Sequence, residues 1–408
     1  MLKNTDCRLV TILSIVFVQM AGAAMILPIL PLFAERTFNM QPSVITLLVS
    51  SYFMAVFFAG PYLGQLSDQR GRVPILVISQ LGSAGSFFLM AAAGAPWMLF
   101  AARILDGVTG GNIIVAQAYI TDVTPREKRT EALGYILAIF GLGFIIGPAL
   151  GGVLSAWLGP RIPFVIAGLA AFVTAIMSRL LLDETVDRES APQKTAPKVS
   201  LSPLEVAEKP ALLLILSVAF IGQFGLGLLQ STFALYGDAV LFAGASDQMT
   251  NLGIGLLLAV VGIGQFVTQF WLIRPMKHRF GDALLVILGL LIRSAGLILY
   301  VAILSPWLAG VASLFFAVGM GLMMPPLQSL ATRTVSESIR GAVLGVFTSA
   351  TSLAIIISTA IAGLIFTIRP DFPFWIGAGL SFVAILPALI VLRKANQDQL
   401  QEVPGPAD

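Results

Sequence analysis

One cysteine, Cys7, and one histidine, His278, stand in 408 residues. A single thiol excludes an intrachain disulfide, and the pair leaves no Cys/His set able to hold a metal. Charge is scarce as well. Asp, Glu, Lys and Arg make up 11% of the chain, against about 25% in a soluble domain. No nucleophile–base pair stands out, so neither an enzyme nor a cofactor is expected. The net charge of +3 carries no footprint of nucleic-acid binding.

What fills the chain is apolar: 57% of the residues are hydrophobic, more than a water-soluble core can absorb. A helix crossing a hydrocarbon layer about 30 Å thick needs roughly 20 such residues. Twelve segments qualify. The first six are Leu9–Phe33, Val44–Leu66, Pro74–Gly94, Trp97–Ile120, Ala132–Leu158 and Ile162–Leu182. The other six are Ala211–Tyr236, Leu252–Ile273, Ala283–Leu304, Trp307–Ala331, Ala342–Ile368 and Phe374–Leu392. The first is too long for a signal peptide, carries Pro28 and Pro31, and is followed by eleven more.

Basic residues orient these segments. Nineteen of the 24 Lys and Arg lie at the termini or on the even-numbered connections, and only Arg36, Arg161 and Arg369 lie on the odd-numbered ones. Arg103 and Arg293 fall within helices. The positive-inside rule then predicts a multi-pass protein of the cell (inner) membrane with both termini cytoplasmic.

The longest polar stretch, 183–210, is rich in charge, Pro, Ser and Thr and reads as a cytoplasmic linker. It separates a six-helix bundle at 1–182 from another at 211–393, with a tail at 394–408. The halves echo each other. A shift of 210 carries Gly71 onto Gly281, and a shift of 211 carries Gly110, Gln117, Arg129 and Gly134 onto Gly321, Gln328, Arg340 and Gly345. The fold class expected is therefore an all-α polytopic membrane protein, twelve transmembrane helices in two pseudo-symmetric six-helix bundles. A substrate site near the midplane between parallel halves suits alternating access.

Three strings carry chemistry. Gly64-Gln-Leu-Ser-Asp68-Gln-Arg70-Gly71-Arg72 joins the second and third segments. Its glycines permit a tight turn. Asp68 is favoured near the N-terminus of a neighbouring helix, and Arg72 can bridge to Asp122. The plainer reading is a solvated turn whose arginines only set topology. Arg103 and Asp106, three apart on one helix face, can pair inside the fourth segment. Ionised groups there are functional by default, and a structural pair that neutralises itself is the plainer reading. In the fifth segment, Gly141-Leu-Gly143-Phe-Ile-Ile-Gly147-Pro148-Ala-Leu-Gly151-Gly152 combines close-packing glycines with a helix-bending proline.

These strings resemble the major facilitator superfamily. Its second connection follows G-x-L-x-D-R-x-G-R-[RK], which Gly64, Leu66, Asp68, Gly71 and Arg72 match, while Gln69 and Val73 depart from it. The resemblance implies a gating latch of Gly64, Asp68, Gly71, Arg72 and Asp122 that holds the outward-facing state. It also gives Arg103 a part in proton transfer, to which the three-residue spacing adds Asp106 as partner. The G-P-x-x-G-G of Gly147–Gly152 looks like the signature of drug:proton antiporters, formed here by Gly143, Gly147, Pro148, Gly151 and Gly152. The first half is most similar to tetracycline-efflux-like members. Those antiporters have an aspartate where this chain has Gln19, so either Asp106 takes over the proton or the coupling differs.

The function expected is a secondary active transporter that exports lipophilic, drug- or tetracycline-like small molecules in exchange for protons. Its partners would be substrate, protons and the lipid bilayer, and the superfamily's usual state is a monomer. An uptake symporter or facilitator for a sugar or organic anion is the alternative, and a non-transporting membrane sensor the second. Gln19, Asn112, Gln117, Gln223, Gln230 and Gln328 are the candidates for binding substrate, with Arg293 unassigned. Amides in a membrane often only hold helices together.

Overall fold

A computed structural model describes residues 2–110, 112–124, 128–185, 206, 208–303, 305–335 and 339–401. Among these there is no strand. A lipid-exposed backbone must satisfy its own hydrogen bonds, and helices do so within one segment. In chain order the helices are α1 Leu2–Phe38, α2 Pro42–Arg70, α3 Arg72–Ala91, α4 Pro96–Thr109, α5 Asn112–Val123, α6 Arg129–Leu158 and α7 Ile162–Leu181. They continue as α8 Pro210–Tyr236, α9 Asp247–Val267, α10 Ile273–Ala302, α11 Ala309–Arg333, α12 Arg340–Ile368, α13 Phe372–Val383 and α14 Ile385–Gln401. Short π-helical turns follow α8 at Gly237–Leu241 and α9 at Thr268–Leu272.

Eleven helical stretches among the described residues are long and apolar enough to cross a membrane. One of them, Asp247–Ala302, is 56 residues, or roughly 84 Å at 1.5 Å per residue, which no bilayer accommodates as one crossing. It folds back at Gly281, whose φ of 73° and ψ of 168° are non-helical. That makes twelve crossings, as expected. The fourth crossing is α4 and α5, and the twelfth is α13 and α14.

Helices overrun the apolar segments at their ends. The second crossing extends to Arg70, because polar residues at a membrane surface cost a helix nothing. At two boundaries the structure is continuous with the bundle before it. The stretch read as a linker begins with ordered residues: the Tyr119 hydroxyl donates to the Asp183 carbonyl at 3.1 Å. The tail is not a separate element at its start, since α14 runs through to Gln401. Residues 186–205, 207 and 402–408 of those two calls lie outside the described residues.

The chain forms two compact units. The first comprises Met1–Lys194 with Gln230–Gly262 and Thr359–Pro370. Its core joins Ile12, Ile15 and Val16 of α1 to Leu76 of α3 and Tyr119 and Ile120 of α5. The second comprises Thr195–Leu229, Ile263–Ser358 and Asp371–Asp408, with Leu212, Leu290, Met323 and Phe347 in its core.

Glycine sets the closest helix approaches, since apolar area gives no attraction between helices already in lipid. Gly143, Gly147 and Gly151 form one face of α6 against α1. A methyl group added at Gly147 would stand 2.5 Å from the Ala21 carbonyl oxygen, and one at Gly151 2.7 Å from Met25. The other face of α6 meets α9. A methyl group on Gly255 would come 2.5 Å from the Pro148 carbonyl oxygen, and one on Gly262 2.9 Å from that of Phe144. Phe144 lies four residues before Pro148, so its carbonyl is the one that proline deprives of a helical donor. The G-P-x-x-G-G string is thus a two-sided packing strip.

Candidate functional site

Arg103 and Asp106 are brought together as their spacing predicts. The guanidinium Nη1 lies 3.2 Å from Asp106 Oδ2, with both side chains under 10% exposed. Asp106 is ten residues into its crossing, roughly 15 Å along it. Gly107 lets α4 press onto α2, where an added methyl would stand 2.6 Å from the Tyr52 carbonyl oxygen. That approach places the Tyr52 ring 4.0 Å from the Arg103 guanidinium carbon, close enough for a cation–π contact. Arg103 Nε has no hydrogen-bond partner.

The carboxylate has neighbours that sequence reasoning did not supply. Hydroxyls of Ser83 and Ser86, both on α3, stand beside Asp106, and the Ser86 hydroxyl donates to the Ser83 carbonyl at 2.8 Å. Behind them Gln19 Nε2 donates to Ser83 Oγ at 3.2 Å. Gln19, Ser83, Asp106 and Arg103 therefore form one buried polar chain across α1, α3 and α4. Serines on a mostly apolar helix gave no signal of this, because only the packing of three helices aligns them.

The Gly64–Arg72 string also assembles. Gly71 has φ 106°, a region that favours glycine. Arg72 Nε donates to Asp122 Oδ2 at 3.0 Å and Nη1 to Ser67 Oγ at 2.7 Å, and Asp68 pairs with the same guanidinium. Asp68 does not occupy a helix N-terminus. That place belongs to Glu184, whose carboxylate accepts the Arg72 N–H at 2.8 Å and the Val73 N–H at 3.1 Å. Gly71 provides no side-chain cap for α3, so an acid from beyond α7 satisfies the first donors and the positive helix end. In the sequence Glu184 was one charge in an apparent linker. Gly64 lies on α2 opposite Ile114 of α5.

The second half repeats this turn with its charges exchanged. Gly281 takes a positive φ like Gly71, and Asp282 follows it where Arg72 follows Gly71. Asp282 is buried, 3.0 Å from Lys277 Nζ and 3.3 Å from Arg333 Nη2, and it accepts the Ser329 hydroxyl at 3.1 Å. Arg333 stands 211 positions after Asp122. The pattern Pro160-Arg-Ile-Pro-Phe164 likewise returns as Pro370-Asp-Phe-Pro-Phe374, opening α7 and α13, with Arg161 exchanged for Asp371.

At the opposite end of the first unit Arg36 pairs with Asp238 and, at 3.2 Å, with Asp247. Asn251 donates to Ser155 Oγ there at 3.1 Å. The sequence marked Arg36 only as one of the few bases on that side.

The amide candidates are divided between the two units. Gln19 is engaged with Ser83, and Gln117 and Gln230 are half-buried in the first unit. Gln223 and Gln328 belong to the second; Gln223 is half-buried and Gln328 is exposed. The Asn112 side chain lies outside the described residues. Among the described residues no His, Cys, Asp and Glu cluster could hold a metal ion.

Helices that repeatedly cross a membrane, with ionisable groups sunk among them, define a polytopic membrane protein built to handle charge within the bilayer. The chain belongs to the Major Facilitator Superfamily, whose family model matches residues 12–244 and 228–406. It is 30% identical over 390 residues to the class H tetracycline resistance protein of Pasteurella multocida, covering 94% of each chain. Multidrug resistance protein 2 of Bacillus subtilis is 25% identical, covering 95% of this chain and 96% of that protein. The crystal structure of the nucleoside transporter NupG superposes with a TM-score of 0.78 at 14% identity, over 94% of this chain and 98% of the other, a likeness of fold.

Proposed function

We propose that this chain exports lipophilic small molecules from the cell in exchange for protons, by alternating access of two six-helix halves about residues 1–182 and 211–393. The observation that carries the proton part is the buried chain from Gln19 through Ser83 to Asp106 and Arg103. Gln19 cannot titrate, and Asp106 can. Ionised, Asp106 holds Arg103 by charge; protonated, it releases that hold and stays beside the hydroxyls of Ser83 and Ser86. One site thus has two arrangements that a proton selects between. Resemblance to tetracycline and multidrug resistance proteins supports the direction and the substrate type. The Lys and Arg distribution supports cytoplasmic termini in the inner membrane.

Everted vesicles provide the test. Dye or drug taken up on energisation should leave when a protonophore collapses the gradient, and vesicles lacking the chain should take up none. Export unaffected by the protonophore would overturn the proton coupling. The Arg72 cluster acts as a latch in this scheme, with no substrate contact. Asp68→Asn is therefore expected to slow transport about tenfold, the scale of one charge-assisted hydrogen bond, with substrate affinity within about twofold of wild type. Initial rates and equilibrium binding on the same preparation check both halves of that statement.

A further inference from the structure

Arg293 heads the fully buried side chains by volume. It lies eleven residues after Asp282 and nine before Ala302, roughly 16 Å and 13 Å along the helix from the two ends. It therefore sits at mid-depth, remote from lipid headgroups. Its Nε and Nη2 have no hydrogen-bond partner. Nη1 has only the Met320 sulfur, at 3.9 Å, a weak acceptor. The Phe316 ring is 5.4 Å from the guanidinium carbon. Among the described residues no carboxylate pairs with it.

The site around this cation is built for it. On α8, Gly225 leaves room for Nη2, where an added methyl would stand 2.6 Å away, and Gly222 leaves room for Met323, whose Cε would be 2.5 Å from such a methyl. On α11, Gly319 brings the backbone against Arg293 itself. Met320 and Met323 close the seam with unbranched side chains that adapt to different shapes. The position stands 210 residues after Ser83, which in the first half faces an acid.

A buried guanidinium cannot escape its charge by losing a proton, and an uncompensated buried charge is costly. With no acid against it among the described residues and no headgroup at that depth, compensation falls to something that arrives. The unpaired Nε–Nη2 edge presents two parallel donors, the arrangement that takes a carboxylate bidentately. We infer that Arg293 is an anion-binding centre and that the chain favours amphipathic organic monoanions, with their apolar portion against Phe316, Met320 and Met323. A lone cation there also repels cationic drugs of equal size, so it selects against as well as for. The inference names the substrate class of the exporter proposed above and rests on that reading.

Three dansyl probes that differ in charge decide it: dansylglycine, its neutral amide, and the cationic dansylcadaverine. Each is titrated by fluorescence into the full-length protein in lipid nanodiscs without a proton gradient. Wild type should bind dansylglycine about tenfold more tightly than the amide, the scale of a charge-assisted pair, and dansylcadaverine least. Arg293→Gln should lower dansylglycine to the level of the amide while amide binding is unchanged, which also reports a folded protein, and Arg293→Lys should fall between. Equal binding of the three probes, preference for the cation, no binding of dansylglycine to wild type, or an unaltered affinity in Arg293→Gln would each overturn the inference. Because no gradient is present, these outcomes are independent of proton coupling, which the vesicle experiment tests separately.

Discussion

Asp106→Asn is expected to abolish substrate-induced proton release in proteoliposomes, whereas wild type should acidify the medium when substrate is added. Asparagine keeps the size and hydrogen bonds of protonated Asp106 and removes the titration. Each proton entering supplies about 2.3 kcal/mol per 100 mV, and 1.36 kcal/mol is a factor of ten. Loss of one coupled proton should thus cut the accumulation ratio about fiftyfold per 100 mV. Gradient-free counterflow should persist in the variant, because asparagine keeps a neutral polar side chain beside Ser83, which Gln19 continues to hold. A pH-electrode trace with wild-type release would sink the assignment. Loss of counterflow would instead show that Asp106 is needed for the movement itself.

Asp282→Asn is expected to give the largest loss of stability. The change leaves Lys277 and Arg333 facing a neutral group and weakens the acceptor for Ser329. Removing one partner of a buried pair costs about 3–5 kcal/mol. Lys277 and Arg333 are 46% and 62% exposed, so solvent offsets part of that and about 2 kcal/mol remains. Thermal unfolding of the purified variant should show the drop. The double exchange Asp282→Arg with Arg333→Asp should recover part of it, since the acid then lies where Asp122 lies in the first half. Wild-type unfolding of the single variant would reduce the cluster to surface decoration.

Much of this was legible in the sequence because the bilayer leaves so few choices. A crossing must be helical and about 20 residues long, so the apolar runs alone gave the twelve crossings, and Gly281 needed only its backbone angles to separate two of them. The Arg103–Asp106 pair was legible because three residues on a helix is a contact distance. What stayed hidden depends on helices far apart in the chain. Ser83 and Ser86 looked like ordinary small residues until α3 turned them toward Asp106. Glu184 looked like linker until it capped α3. Asp282 gave no signal in sequence, where it is one more charge beside a turn glycine, and burial gives that acid its weight.

The exchanged charges at Arg72 and Asp282, and at Asp122 and Arg333, bear on how such a chain could have arisen. If the halves descend from one duplicated bundle, both members of a pair had to change sign. Changing either one alone sets like charges against each other at hydrogen-bond distance. The passable route runs through a neutral residue at one position, with the second reversed only afterwards. A half reconstructed at that midpoint, with Ser or Asn in place of Arg72, should accept either sign at position 122.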